Sequence, residues 1–110
     1  MPFSTTLESS IDALAAEWHL VKRDMFGGLA YFTPGDNMCF AIMGETLLFR
    51  AGKEQTAGYL RQPDIHEATM GSRTMQGWLL AGGQAVADKT RLKHWLDVGY
   101  AFASALPPKQ

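Results

Sequence analysis

Arg23-Asp24-Met25-Phe26-Gly27-Gly28, running straight into Leu29-Ala30-Tyr31-Phe32, is the stretch on which the reading of this chain turns. A charged pair, two large apolar side chains and a double glycine suit neither a core nor a linker. Adjacent glycines allow backbone angles that other residues avoid, and they let another group come close to the main chain. Gly27-Gly28 is no phosphate loop: it lacks the Gly-Lys-Ser/Thr ending and precedes a strand instead of a helix. Glycines so placed serve a bulge or a crossing point.

Outward from that stretch, short apolar runs alternate with turn residues. Residues 21–23 lead into a first strand and residues 29–33 form the next. Pro34-Gly35-Asp36-Asn37 is a turn, because proline presets the backbone and glycine permits positive φ. Residues 38–43 and 46–50 are two further strands, ended by Gly44-Glu45 and Gly52, and the whole reads as an antiparallel meander. Residues 54–61 predict a short helix, weakened by Gly58 and stopped before Pro63. Residues 65–69 and 74–81 predict two more strands around Gly71-Ser72.

Helices bracket the strands. Leu7, Ile11, Leu14, Ala15 and Trp18 recur at helical spacing, and Thr5 with Glu8 has the spacing of a capping box. Leu92, Trp95, Leu96, Gly99, Phe102, Ala103 and Leu106 share one face of a last helix, opened by Asp88 or Thr90 and closed by Pro107-Pro108. Trp18 and Trp95 are the expected anchors between helices and sheet. The order predicts a two-layer α+β domain spanning residues 1–110, an antiparallel sheet with helices on one face. Met38-Cys39-Phe40-Ala41-Ile42-Met43 and Trp78-Leu79-Leu80-Ala81 do not alternate apolar with polar, as a strand with one wet face would. Helices on one side leave the other bare, so either a homodimer forms through the open sheet face or Cys39, Ala41 and Ala81 are small enough to face water.

Composition narrows the function. The chain has 110 residues, 46% hydrophobic and 19% charged, ordinary for a globular protein. A net charge of −1 disfavours direct nucleic-acid binding, which needs clustered lysine and arginine. One cysteine, Cys39, excludes an internal disulfide and fits a reducing compartment. The opening Met-Pro-Phe-Ser-Thr-Thr has neither the basic nor the apolar part of a signal peptide, and no apolar run is long enough for a membrane span. A cytoplasmic location follows as the expectation.

No catalytic constellation stands out. His19, His66 and His94 fall on three elements without paired spacing, so no metal site is expected. Cys39 lies in an apolar strand, where cysteine behaves as a small hydrophobe. Ser72 sits in a turn without a nucleophile elbow around it. The remaining constellation is Arg23, Asp24, Arg50 and Arg73 on strands or strand ends. Arginine offers a planar, permanently charged fork for carboxylate or phosphate. A site at the glycine bend made of Arg23, Asp24, Phe26, Gly27, Gly28, Arg50 and Arg73 would hold an anion or an acidic peptide. The same residues also suit an ion-pair network that holds the turns.

Arg23 to Gly28 resembles the Arg-x-Met-Phe-Gly-Gly signature of the TfoX (Sxy) N-terminal domain family of bacterial competence regulators. Met38 and Phe40 resemble the family's next strand, with Cys39 between them. Leu47, Arg50 and Gly52 resemble the third-strand pattern. Met70, Gly71, Arg73, Met75, Gly77 and Trp78 are similar to the hairpin of stand-alone members, and Leu92, Trp95, Ala101 and Leu106-Pro107-Pro108-Lys109 to the terminal helix and tail. The resemblance implies an α+β fold similar to type III secretion chaperones, no enzyme activity and no cofactor. In the competence regulators a second, helical domain follows, and the pair acts with the cyclic-AMP receptor protein; this chain resembles a stand-alone first domain. The expected function is a non-enzymatic protein-interaction or regulatory domain with a protein partner still to be identified. The alternative is a small-molecule or anion-binding protein using the arginines.

Overall fold

The computed structural model describes residues 3–25 and 27–109. Helix α1 (Thr5–Leu14) and a 3-10 turn (Ala16–Trp18) precede four strands, β1 (Val21–Met25), β2 (Gly28–Phe32), β3 (Met38–Met43) and β4 (Thr46–Arg50). Helix α2 (Thr56–Tyr59) leads to β5 (Ile65–Met70) and β6 (Arg73–Ala81), and α3 (Gln84–Ala87) and α4 (Lys89–Ser104) close the chain. The six strands form one antiparallel sheet in the order β1-β2-β3-β4-β6-β5. This is the α+β arrangement that the sequence implies.

Local signals set most boundaries. The cap of α1 lies one residue before the expected position: the Leu7 amide donates to Ser4 Oγ at 3.1 Å, so Ser4, not Thr5, holds the first turn. Asp88 caps α4 as expected, its carboxylate accepting from the Thr90 and Arg91 amides at 2.9 and 3.4 Å. The expected helix over residues 54–61 shortens to Thr56–Tyr59, since Gly58 in its middle costs helix stability. The four-residue α3 is too short to leave a periodic apolar trace, and the sequence reading passes over it.

Gly77 changes the phase of β6. With φ of +87° its carbonyl accepts the amides of both Ala51 and Gly52, at 2.8 and 2.9 Å. Met75 and Trp78, three residues apart, consequently pack into the same apolar cluster. The facing ladder of β5 slips between Glu67 and Thr69. This is a bulge, and it bends the strand.

The main core lies between the sheet and α1 and α4. Tyr31, Phe40, Ile42, Leu47, Phe49 and Leu79 supply the sheet side; Ile11, Leu92, Trp95 and Leu96 supply the helix side. Gly99 lets α4 ride close to β3: a Cβ there would stand 2.6 Å from the Cys39 carbonyl oxygen. Trp95 is fully buried with its ring 5.0 Å from that of Phe49, the expected helix–sheet anchor. Trp18 is not one. It is half-buried and stacks on Tyr100 of α4 at 4.2 Å, under the Lys93 ammonium, so it joins helix to helix. The tail folds back on the β2–β3 turn, where Asn37 Nδ2 donates to the Pro107 carbonyl at 3.0 Å and the Lys109 amide to that of Gly35 at 2.8 Å.

Candidate functional site: the helix-free face of the sheet

Side chains alternate between the faces of a strand, and antiparallel partners share a face. The register therefore fixes what lies opposite the helices. One row crosses all six strands as Arg23, Ala30, Ala41, Leu48, Leu80 and His66. A second row holds Val21, Phe32 and Met38, and beyond them Arg50 with its partner Trp78. Met25 opposite Gly28, and Met43 opposite Thr46, make a third. Met70 faces Arg73 at the far end of β5 and β6.

These side chains form a second apolar cluster. Ala30, Phe32, Ala41, Leu48 and Ala68 are buried, and Met25, Met38, Met43, Met75, Trp78 and Leu80 pack half-buried around them. The small alanines lie at the bottom and the long methionines and Trp78 lean over them. That accounts for the missing alternation in β3: both its faces are apolar, one under helices and one under its own methionines. Of the large hydrophobics most exposed among the described residues, Val21 (46%) and Met70 (56%) belong to this face. Five of the six methionines stand on it. Methionine is flexible and polarizable and adapts to varied apolar partners.

The expected arginine site takes a different shape. Arg23, Arg50 and Arg73 all belong to this face but do not converge. Arg23 and Arg50 stand three strands and one row apart, roughly 16 Å between Cα atoms from ladder geometry. Arg73 lies five residues along β6 from Trp78, the partner of Arg50. Arg23 instead pairs with Asp36 of the turn at 2.6 Å and lies 4.4 Å over the Phe32 ring. The Arg50 guanidinium lies 5.3 Å from the rings of both Trp78 and Phe102, and Nη1 donates to the Met38 carbonyl at 3.4 Å. Asp24 faces the other way, opposite Leu29, and does not pair with Arg23.

The double glycine has two separate uses. Gly27 takes φ of +74°, a left-handed turn conformation, with open space where a Cβ would go. Gly28 is buried in β2, and a Cβ there would stand 2.2 Å from the Ile42 carbonyl oxygen and 2.9 Å from Met43 Sδ. Turn and close approach thus fall on consecutive residues, as the sequence implied. Phe26 lies outside the described residues.

Other chemistry-bearing groups serve the fold. Burial pushes the Cys39 thiol up to about 12, the Arg50 cation offsetting it in part. Burial, reinforced by the Asp12 acceptor at 2.9 Å, holds the Tyr31 phenol far above its ordinary range. Hydrogen bonds to Asp12 and Glu8, at 2.9 and 2.8 Å, raise the Lys22 ammonium and tie α1 to β1. Among the described residues no three of His, Cys, Asp and Glu converge as metal ligands. A partly open cleft of about 260 Å³ lies between α2 and the β6 bulge, lined by Lys53, Glu67, Gln76 and Trp78 among others. No helix of the described residues is long and apolar enough to cross a membrane.

The sequence reading missed the methionine face as a surface. Its signal was partial: Ala41 and Met43 share one face of β3 by parity, but Met38 joins them only through the register shift beside Tyr31 and Phe32. No curated protein and no solved structure matches the chain. The model of the TfoX N-terminal domain matches residues 12–103, which takes in β1 with its glycine turn, the whole sheet and nearly all of α4. With that match over most of its 110 residues, the chain belongs to the TfoX N-terminal domain family.

Proposed function

We propose that this chain is a non-enzymatic, regulatory interaction domain of the kind found in competence regulators, and that it docks a protein partner on the helix-free face of its sheet. The observation that carries this reading is the second apolar cluster, whose shell of Met25, Met38, Met43, Met75, Trp78 and Leu80 has water on its outer side. Apolar surface gathered on one face, with three arginines around it, has the anatomy of an interface: an apolar centre, a charged rim and arginine enriched. The family supports a regulatory domain, and the half-buried methionine shell with water on its outer side supports coverage of this face by protein. A second copy of the chain is the other occupant that the bare face suggests.

The test is capture from native lysate with tagged wild-type protein and a Met43→Glu, Met75→Glu double variant. A Lys109→Glu variant, altered in the tail, serves as control. A partner held by wild type and control but lost by the double variant, at similar melting temperatures, supports the reading. Equal capture by all three contradicts it.

A further inference from the structure

We propose that the helix-free face receives an acidic amphipathic segment of another protein, and not a second copy of this chain or a nucleic acid. The inference rests on the interaction reading above and comes from the charges on that face. Its strand positions carry Arg23, Arg50, Arg73 and His66 and no aspartate or glutamate. Asp24 and Glu67 lie on the same strands at positions of opposite parity, facing Leu29 and Leu79 on the helix side. Of the carboxylates near this side, Asp36 comes from the β2–β3 turn and is engaged by Arg23, and Glu67 lines the cleft beside Met75 and Trp78 at the bulge. The whole chain is nearly neutral, with 10 basic and 11 acidic residues, so this face is a local cationic area on a balanced molecule.

That distribution discriminates between occupants. Two copies laid face to face would bring both sets of arginines onto one apolar interface, with Asp36, already engaged by Arg23, as the carboxylate among them. Like charges so placed repel and disfavour that pairing. A nucleic acid would stack its bases on exposed aromatic rings. Here Arg23 already lies over Phe32, and Arg50 over Trp78. Methionines and Leu80 also offer a phosphate backbone nothing. An amphipathic helix with acidic flanks matches both parts, apolar side chains on the methionines and carboxylates on the arginines. Arg50 and Arg73 form no ion pair among the described residues, and the Arg23 side chain is 49% exposed beside Asp36, with donors to spare.

The experiment is a displayed library of 16-residue segments, apolar at helical spacing and free to take Asp, Glu, Lys, Arg or Ser elsewhere. It is panned against wild type and against Met43→Glu, Met75→Glu. The expected binders are lost on the double variant and enriched at least fivefold in Asp and Glu over Lys and Arg. Their affinity falls about tenfold on Arg50→Ala or Arg73→Ala, as for a close charge pair at an interface. Binders equally rich in lysine would overturn the charge inference and leave the docking face standing. Failure to select any segment that distinguishes wild type from the double variant would overturn the docking face itself. Sedimentation at twice the 12.1 kDa chain mass would assign the face to a second copy, provided Met43→Glu, Met75→Glu restores the monomer. A single-stranded oligonucleotide that binds more tightly than the selected segments would assign it to nucleic acid.

Discussion

Substituting the two glycines of the signature one at a time separates their roles. Gly27→Ala meets no atom, and its cost is the left-handed backbone alone, about 1–2 kcal/mol. The lost flexibility of the unfolded chain returns about 0.4–1 kcal/mol, leaving roughly 1 kcal/mol of destabilisation. Gly28→Ala has ordinary backbone angles but drives a Cβ to 2.2 Å from the Ile42 carbonyl oxygen. A tolerable contact is close to 3.2 Å, so β2 and β3 must part by about 1 Å. That shift stretches about three of their hydrogen bonds past useful length, and each costs about 1 kcal/mol. Met43 Sδ, 2.9 Å away, is near the end of a flexible side chain and swings aside for at most about 1 kcal/mol. The sum is about 3–4 kcal/mol, a large share of the 5–15 kcal/mol that holds a typical domain. Thermal melts and urea titrations read both variants. At about 4 °C per kcal/mol, Gly28→Ala should lose ~12–16 °C and Gly27→Ala ~4 °C. Equal losses, or a larger loss for Gly27→Ala, would refute the reasoning.

Four further outcomes follow from buried groups and caps. Cys39 should react with a thiol reagent at pH 8 more than a hundredfold slower in the native protein than in denaturant, since burial holds it protonated. The same shift makes stability fall with rising pH. The unfolded thiol ionises near 9 while the folded one keeps its proton to about 12, so the native state binds more protons in that window. Urea midpoints measured from pH 8 to 11 should decline above pH 9. Tyr31→Phe removes the donor to Asp12 and should cost about 1 kcal/mol in chemical denaturation. Ser4→Ala should cost about 1 kcal/mol where Thr5→Ala costs little, because Ser4 holds the α1 cap.

The strands were legible because glycine and proline mark their ends. Met38–Met43 and Thr46–Arg50 lie where the sequence placed them, between Asn37 and Gly44-Glu45 and before Gly52. The cap of α1 was missed because Ser4, Thr5 and Thr6 all qualify, and only the fold decides which hydroxyl meets an orphan amide. The arginines were legible as residues and illegible as a site. Consecutive residues of a strand point to opposite faces, so Arg23 and Asp24 were bound to part. The actual partner, Asp36, is brought by a turn that only the folded chain brings back. The non-alternating strands suggested that something must cover the bare face. The structure adds a nearer cover, small alanines shielded by long methionines, and moves the open surface up to the methionine tips. Parity could have found part of that surface, but the count breaks in β6 at Gly77, between Met75 and Trp78, and in β3, where the register shift brings Met38 to the face of Ala41 and Met43.

The most direct test of the docking face is methyl NMR of the protein labelled at methionine ε and isoleucine δ1 methyls. Met25, Met38, Met43, Met70 and Met75 report the helix-free face, and Ile11, Ile42 and Ile65 report the core on the helix side. The spectrum would be recorded in buffer and again in native lysate, with Met43→Glu, Met75→Glu for comparison. Broadening or shifts in the wild-type methionines, with the isoleucines unmoved and the double variant silent, is the predicted result. Changes at the isoleucines, or methionines that stay sharp and unshifted in lysate, would contradict the account.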